Sequence, residues 1–330
     1  MKSKVIKLAG LPIGMPQVAN FTTTVEELPA IQHGQMLLKT LYFSVDPYLR
    51  AKMSGGHQPP LYAGDVMYSR AIAEVVESKH QGFNPGDKVI GFFEWREHLV
   101  HNGEGISILH NKGFQLSSYL GVLGTTSLSA YFALADIGKP KAGETMVVSG
   151  AAGAVGSIAG QIGKLMGCRV IGIAGTDEKV EWMRSALGFD SGINYKTTPN
   201  VADEVARFCP NGVDIYFDNV GGVISDGVIS RMNNYGRVIV CGSIADYNDT
   251  DVNFGPRLLP LVVYKKLLIQ GFLIADYRDR FAEGIAQLEQ WITAGKLQFA
   301  ETIIDGFDHL PEAFIDLFNG RNEGKMIVKV

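Results

Sequence analysis

The glycine-rich loop at residues 150–156 carries the clearest chemical signal in the sequence. It reads Gly-Ala-Ala-Gly-Ala-Val-Gly and follows the apolar run 146–149, so it contains a dinucleotide fingerprint with Ala151 in place of the first glycine. Gly153 lets the backbone approach a pyrophosphate, and Gly156 lets the next helix pack on the strand while its N-terminus attracts phosphate. A glycine-rich turn without a ligand is the alternative, which the strand–loop–helix order disfavours.

The residues after the next apolar run indicate which dinucleotide this loop would bind. NAD sites commonly carry Asp or Glu there to bind the ribose hydroxyls, but run 169–173 is followed by Ala174-Gly175-Thr176. Lys179 lies in the first turn of the next predicted helix, where a cation can meet a 2′-phosphate. The sequence therefore predicts NADP over NAD, with an ordinary solvated lysine as the alternative for Lys179.

Zinc ligands are scarce where a zinc-dependent dehydrogenase would need them. The first 120 residues contain no cysteine, and their histidines show no spacing typical of a three-ligand catalytic site. These are His33, His57, His80, His98, His101 and His110. We interpret His98 and His101 as a surface strand pair and expect no metal. This favours hydride addition to an activated alkene over alcohol oxidation, because a tyrosine hydroxyl or the nicotinamide ribose can polarise the carbonyl and supply a proton.

Three tyrosines in loop-like contexts are candidates for that role: Tyr48, Tyr62 and Tyr247. Simple packing is the alternative for each of them, since the chain has 12 tyrosines. Arg50 would either orient the loop at Asp46 or meet a substrate, and the sequence does not separate these roles.

A βαβ pattern surrounds the glycine-rich loop and would position it. The predicted strands lie at 146–149, 169–173, 213–217, 237–241 and near 268–270, and the predicted helices lie near 178–187, 201–208 and 223–232. We expect six parallel strands with helices on both faces, a doubly wound sheet. The loops that follow two of these strands, with Asn219 and with Cys241-Gly242-Ser243, would then run along the cofactor, although turn chemistry alone also explains them. We interpret Cys241 as a packed small residue rather than a nucleophile.

The remaining sequence predicts a second, β-rich domain. Residues 1–120 alternate in short runs broken by Gly and Pro, which favours a partly barrel-like fold. A strand at 301–304, a helix near 311–318 and a strand at 325–330 form a tail of only 30 residues. Such a tail cannot bury a core of its own, so we expect it to return to this domain.

Composition excludes several function classes. The 330 residues have a formal net charge of -4 and no long basic cluster, which argues against nucleic acid as a ligand. No apolar stretch approaches the roughly 20 residues of a membrane span, and we predict a cytoplasmic protein without a membrane partner. Cys168, Cys209 and Cys241 are too few and too scattered for a disulfide framework, which suits a reducing compartment.

Taken together, these segments resemble the zinc-independent medium-chain dehydrogenase/reductase superfamily, in its branch of prostaglandin, alkenal double-bond and curcumin reductases. The resemblance lies in residues 44–50, 127–132, 151–156, 175–179, 194–196, 216–222 and 324–325. It implies an α/β fold with a GroES-like β-rich catalytic domain at 1–124 and 301–330, and a Rossmann NADP-binding domain with a doubly wound parallel sheet at 125–300. Residues 124–127 and 53–60 depart from the family pattern, and we expect loop 53–60 to shape substrate choice.

The same resemblance implies roles for individual residues. Tyr247 and Tyr48 would be catalytic, Tyr62 would bind substrate, and the protein would be a homodimer. Arg50, from its position in the sequence alone, is a further candidate for substrate binding. The implied cofactor-binding residues are Gly153, Ala154, Val155, Gly156, Lys179, Tyr195, Asn219, Cys241, Gly242, Ser243, Ile244, Tyr247, Phe272, Leu273, Ile274 and Asn322. Independently, the apolar stretch 258–264 suits an edge buried in a dimer, with a buried core as the alternative.

The expected reaction is hydride transfer from NADPH to the β-carbon of an α,β-unsaturated ketone or aldehyde. Tyr247 would stabilise the enolate oxygen with Tyr48 as a candidate assistant, and water would protonate the α-carbon. Two alternatives stay open at this point. One is an NADPH quinone reductase on the same scaffold, and the other is a catalytically weak NADPH-binding protein with a structural or regulatory role.

Overall fold

The computed structural model of the protein describes residues 1–55 and 59–330. The chain divides into two compact units. The first unit comprises residues 1–120, 301–322 and 326–330, and the second comprises residues 121–300 and 323–325. His57 and the middle of loop 53–60 lie outside the described residues.

The β-strands and the α-helices are each numbered in chain order. The strands are β1 (Lys2–Leu8), β2 (Phe21–Glu27), β3 (Met36–Ser44), β4 (Tyr68–Ser78), β5 (Lys88–Glu94), β6 (His98–His101), β7 (Ser107–Ile108), β8 (Thr145–Ser149), β9 (Arg169–Ala174), β10 (Ser191–Asn194), β11 (Val213–Asp218), β12 (Met232–Val240), β13 (Leu268–Gly271), β14 (Glu301–Asp305) and β15 (Lys325–Lys329). The α-helices are α1 (Tyr48–Met53), α2 (Thr125–Ala133), α3 (Gly156–Leu165), α4 (Asp177–Ser185), α5 (Val201–Phe208), α6 (Gly222–Ser230), α7 (Leu259–Lys265), α8 (Phe281–Thr293) and α9 (Leu310–Phe318).

The first unit is built on a seven-stranded sheet. The strand order is β14-β15-β3-β4-β5-β7, and β6 pairs with β3 beside this path. The C-terminal strand β15 runs antiparallel to β3, with Ile327 opposite Ser44. Phe43, Trp95 and Phe314 are fully buried in its core, and the Trp95 indole N–H donates to the Ser69 hydroxyl at 3.0 Å. This core holds the segment after β3 that carries Tyr48.

The second unit is the doubly wound sheet that the sequence predicts. Its six strands are all parallel, in the order β10-β9-β8-β11-β12-β13. All five residues of β8 are buried, as expected for a parallel strand covered on both faces. The strand order reverses at β8, and ligands of such sheets bind at the carboxyl ends of the strands at this point. The mixed α/β fold class is confirmed.

Three local expectations differ from the structure. Strand β10 was not located in the sequence, because it is only four residues long and contains Gly and Asn. Tyr48 begins helix α1, so the loop-like context predicted for it is wrong. The stretch 258–264 forms most of α7 and has no fully buried residue, so it is not buried core, although Leu258, Leu261 and Val262 pack against the core of the second unit.

Candidate functional site

The glycine-rich loop lies between β8 and α3, as the fingerprint requires. A Cβ on Gly156 would lie 2.4 Å from the Gly150 carbonyl oxygen and 2.8 Å from the Ala151 Cα. Only glycine therefore fits at this close approach of helix and strand. Ala154 and Val155 form the turn into α3, a helix of ten residues whose N-terminal end carries the positive end of the helix dipole. The loop thus has the shape of a pyrophosphate cradle.

A buried carboxylate that sequence reasoning missed supports the neighbouring loop. Asp218, at the end of β11, is 3% exposed. One of its oxygens accepts hydrogen bonds from the Ser149 hydroxyl at 2.9 Å, the Tyr216 hydroxyl at 2.8 Å and the backbone N–H groups of Val220 and Gly221 at 3.0 Å. The other oxygen accepts from a fifth donor, the Ser225 hydroxyl, at 2.6 Å. A buried carboxylate with this many donors is well compensated for the loss of water.

This network fixes the two loops predicted to run along a cofactor. The Asn219 amide N–H₂ donates to the Ser149 carbonyl at 2.7 Å, while its backbone N–H donates to the Ser149 hydroxyl at 3.0 Å. The Asp218 carbonyl accepts from the Cys241 N–H at 2.8 Å and from the Gly242 N–H at 3.2 Å. The carboxyl ends of β8, β11 and β12 are therefore linked through residue 218. The sequence signal was an aspartate at the end of an apolar strand, directly before Asn219.

A cleft of about 490 Å³ opens at the carboxyl ends of β12 and β13. It brings together several residues that the resemblance assigns to the cofactor, namely Cys241, Gly242, Ser243, Phe272 and Leu273. Ile274 follows directly and begins a 3₁₀ helix, and the Ile244 N–H donates to the Asn219 carbonyl at 3.5 Å. Burial raises the pKa of the Cys241 thiol to about 12, which keeps it protonated and argues against a nucleophile, while the residue as a whole is half-buried and lines the cleft.

Tyr247 lies beside this cleft. Its hydroxyl oxygen accepts from the Ser243 N–H at 3.5 Å, and the phenol is half-buried. Burial raises its pKa above the ordinary value, while the hydrogen bond from Ser243 acts in the opposite direction. Because an elevated pKa preserves the hydroxyl form, Tyr247 is a hydrogen-bond donor at physiological pH and not a phenolate.

Lys179 lies in a cationic corner near the end of β9. Its side chain is half-buried, unlike an ordinary solvated lysine. Burial is the main cause of its lowered pKa, Lys196 lowers it further, and Glu323 acts in the opposite direction. A Cβ on Gly175 would touch the Tyr195 ring at 3.2 Å and the Lys196 side chain at 3.3 Å. The predicted residues Lys179 and Tyr195 therefore share this corner with a second lysine.

The remaining candidates belong to the first unit. Tyr62 is 62% exposed. The Tyr48 phenol oxygen, in contrast, is buried. This burial, together with the nearby Asp46 carboxylate, raises the pKa of Tyr48. Asn322 also belongs to this unit.

Arg50 is 4% exposed and donates from one guanidinium nitrogen to the carbonyls of Pro12 at 3.3 Å and Gly14 at 3.0 Å. It therefore holds the 12–14 loop, a role that sequence reasoning did not consider.

The structure also bears on the candidate metal ligands. His98 and His101 lie on the same strand, β6, as their interpretation as a strand pair requires, and both are half-buried. Burial lowers the pKa of both imidazoles. Within residues 1–55 and 59–330, no group of three or more His, Cys, Asp or Glu side chains could hold a metal ion. In the same ranges no helix is long and apolar enough to cross a membrane.

Two family models match the chain. Residues 4–109 match the N-terminal domain of oxidoreductase, and residues 154–290 match the model described as zinc-binding dehydrogenase. The NADPH-dependent curcumin reductase of Escherichia coli is 40% identical over 98% of this chain and 95% of its own. Prostaglandin reductase 1 of Bos taurus is 41% identical over 96% of both chains.

The chain belongs to the medium-chain dehydrogenase/reductase superfamily, in the prostaglandin and curcumin reductase branch. A solved structure agrees with this membership. The crystal structure of CurA from Vibrio vulnificus in complex with NADPH superposes with a TM-score of 0.94, at 40% identity, and covers 99% of both chains. The resemblance on which the site predictions rest is therefore confirmed at the level of family and fold.

The Asp218 network generates a testable prediction for this reductase. Asp218→Asn keeps the shape of the side chain but removes the charge that strengthens its hydrogen bonds from the N–H groups of Val220 and Gly221. We expect about fivefold weaker binding of NADPH, the cofactor that the sequence predicts, because hydrogen bonds to a charged group exceed neutral ones by roughly 1 kcal/mol. Fluorescence titration measures this.

Asp214→Asn is the matched control, since Asp214 lies on the same strand but accepts from the Thr145 N–H and Asn233 at its other end. An equal loss of NADPH affinity in both variants would show that the Asp218 network has no specific role in the loops.

Proposed function

We propose that the protein is an NADPH-dependent oxidoreductase that reduces the carbon–carbon double bond of α,β-unsaturated ketones or aldehydes. The observation that carries the proposal is the whole-chain match to curcumin and prostaglandin reductases, together with a dinucleotide cradle at the carboxyl ends of a parallel sheet. The partner is then a small-molecule enone or enal.

The residues of the second unit fit NADPH in particular. The Gly156 cradle accepts a pyrophosphate, and the position at the end of β9, where an NAD site carries Asp or Glu for the ribose hydroxyls, is taken by Ala174 and Gly175. Lys179 and Lys196 place two cations at this corner, where a 2′-phosphate needs them. The NADPH complex of CurA supports the same assignment.

When bound, NADPH supplies a hydride from its nicotinamide ring to the β-carbon of the substrate. We assign the stabilisation of the enolate oxygen to Tyr247, a protonated phenol whose raised pKa lets it donate a hydrogen bond over a wide pH range. Tyr48 stays the candidate assistant, and water is the proposed donor to the α-carbon. The Asp218 network holds the backbone at Asn219 and Gly242 in place during this step.

Tyr247→Phe removes only the proposed donor and tests its assignment. We expect kcat for an enone to fall by roughly 10²–10³, since loss of one oxyanion donor has that effect in other enzymes. Stopped-flow or steady-state NADPH oxidation measures it, and Tyr235→Phe, at an exposed position of the same unit, is the control. Unchanged kcat in Tyr247→Phe would remove this tyrosine from the mechanism.

A wild-type enzyme that reduces benzoquinone but no enone would favour the quinone reductase alternative. A protein that binds NADPH but reduces neither substrate would favour a binding protein.

Lys179→Ala tests the choice of cofactor. Loss of a charge-assisted contact to the 2′-phosphate is expected to weaken NADPH binding by roughly 10- to 100-fold, with NADH binding unchanged because NADH lacks that phosphate. Titration of both nucleotides measures the difference, and Lys141→Ala at an exposed position is the control. If Lys179→Ala weakens NADH as much as NADPH, Lys179 does not recognise the phosphate.

We further propose that the protein is a cytoplasmic homodimer. Its cysteines Cys168, Cys209 and Cys241 form no disulfide, as a reducing compartment requires.

The edge strand of the second unit's sheet supports the dimer. This strand, β13, pairs with β12 on one side and exposes all four of its residues. Beside it in sequence, Leu259 and Tyr264 of α7 are 78% and 79% exposed. An exposed edge strand beside apolar side chains is a natural surface for pairing with a second copy.

Light scattering tests the dimer. We expect a mass of twice 35.8 kDa, and a monomer after the double substitution Leu259→Asp and Tyr264→Asp, which places charge on the proposed interface. Ile13→Asp, at an exposed position of the first unit, is expected to leave the mass unchanged. A monomeric wild-type protein would contradict the proposal.

A further inference from the structure

We propose that Lys52 is a positioning residue for substrate recognition, acting through Tyr68 and through the end of the loop that follows α1. The inference rests on the proposed function, because it concerns how the enone is recognised. It places two residues in the site that neither the sequence nor the family resemblance assigned.

The first observation is the set of contacts that Lys52 makes within the first unit. Its side chain is 4% exposed. The ammonium donates to the Tyr68 hydroxyl at 2.7 Å and to the Pro59 carbonyl at 3.2 Å, and it lies 5.0 Å from the centre of the Tyr68 ring. The Lys52 carbonyl accepts from the Leu61 N–H at 3.0 Å. Lys52 therefore contacts Pro59 through its side chain and Leu61 through its backbone.

The second observation is that burying the Lys52 ammonium is unfavourable in free energy. The neighbours of Lys52 on α1, Leu49 and Met53, belong to the hydrophobic core of this unit. A buried cation loses several kcal/mol of hydration, and an apolar side chain of similar volume usually stabilises a core as well or better. Stability alone therefore gives no reason for lysine at position 52. What lysine adds over methionine is directed hydrogen bonds to Tyr68 and to the Pro59 carbonyl.

The direction of the hydrogen bond to Tyr68 has a chemical consequence. An ammonium has donors and no acceptor, so the Tyr68 oxygen must accept. The hydroxyl hydrogen of Tyr68 is thereby turned away from Lys52 and is available to another acceptor. Tyr48 lies one helical turn before Lys52 on α1, on the same face. Tyr68 also acts electrostatically on Tyr48 and contributes to its raised pKa, after burial and Asp46.

Lys52 thus fixes two features on the side of the first unit that carries Tyr48. It orients the Tyr68 phenol, which acts electrostatically on the candidate catalytic Tyr48, and it holds Pro59 and Leu61 through hydrogen bonds. Both features belong to the part of the chain that we expect to recognise the enone, and neither involves the dinucleotide cradle of the second unit. Loss of Lys52 should therefore change substrate KM and leave NADPH affinity unchanged.

The test is a double-mutant cycle with Lys52→Met and Tyr68→Phe. We expect each single variant to raise the KM for a bulky aryl enone by about tenfold, with the Kd for NADPH within twofold of wild type. Because both substitutions remove one interaction, the double variant should be no worse than Lys52→Met alone. Lys79→Met is the matched control, since Lys79 of the same unit also donates to a backbone carbonyl, that of Ile31, at 2.9 Å.

The outcomes separate this inference from the proposed function. A wild-type enzyme that oxidises NADPH with no enone overturns the proposed function. An active wild type whose variants keep the enone KM, or show strictly additive effects, overturns the role of Lys52 alone. Equal changes in enone KM and NADPH Kd would show a general structural defect and also overturn it. If Lys52→Met does not fold, Tyr68→Phe still tests the pair, because it removes only the acceptor oxygen and retains the ring.

Discussion

The geometry of the dinucleotide site depends on one buried carboxylate, that of Asp218. Parallel strands bring their carboxyl ends to one edge of the sheet, but they do not determine how the loops beyond them are arranged. Asp218 does so by accepting five hydrogen bonds from three hydroxyls and two backbone N–H groups. Its own carbonyl accepts from the N–H groups of Cys241 and Gly242. Charge burial and loop geometry are thus coupled, since the carboxylate is stable only while those donors surround it.

In the first unit, buried charges also fix loop backbone through hydrogen bonds, but these charges are positive. Arg50 and Lys52, one residue apart on α1 and both nearly fully buried, donate to the backbone carbonyls of the 12–14 loop and of Pro59. Long cationic side chains reach such carbonyls from a helix that is itself fixed in the core by Leu49 and Met53. Each of these backbone carbonyls is thereby held by a cation that reaches it from inside the core.

The sequence predicted what depends on local periodicity and on short motifs. The glycine-rich loop, five of the six parallel strands and the helix 201–208 follow from apolar runs and glycine spacing. The sequence did not predict features that depend on contacts between residues far apart in the chain. The partners of Asp218 come from β8 and α6 as well as β11, and Arg50 binds residues 36 and 38 positions away. No periodicity encodes such pairs, and the polar four-residue strand β10 is stabilised by its pairing with β9. The individual site residues stay predictions until they are tested in solution.

Hydride transfer from NADPH to the β-carbon of an enone is tested most directly by following a deuterium label from the cofactor to the product. The protein would be supplied with NADPH carrying deuterium at the transferable position of nicotinamide C4, and the product of a simple enone would be analysed by NMR. We expect a saturated ketone with one deuterium at the β-carbon and hydrogen from solvent at the α-carbon. An allylic alcohol with deuterium on the former carbonyl carbon, or a saturated ketone without deuterium at the β-carbon, would contradict it.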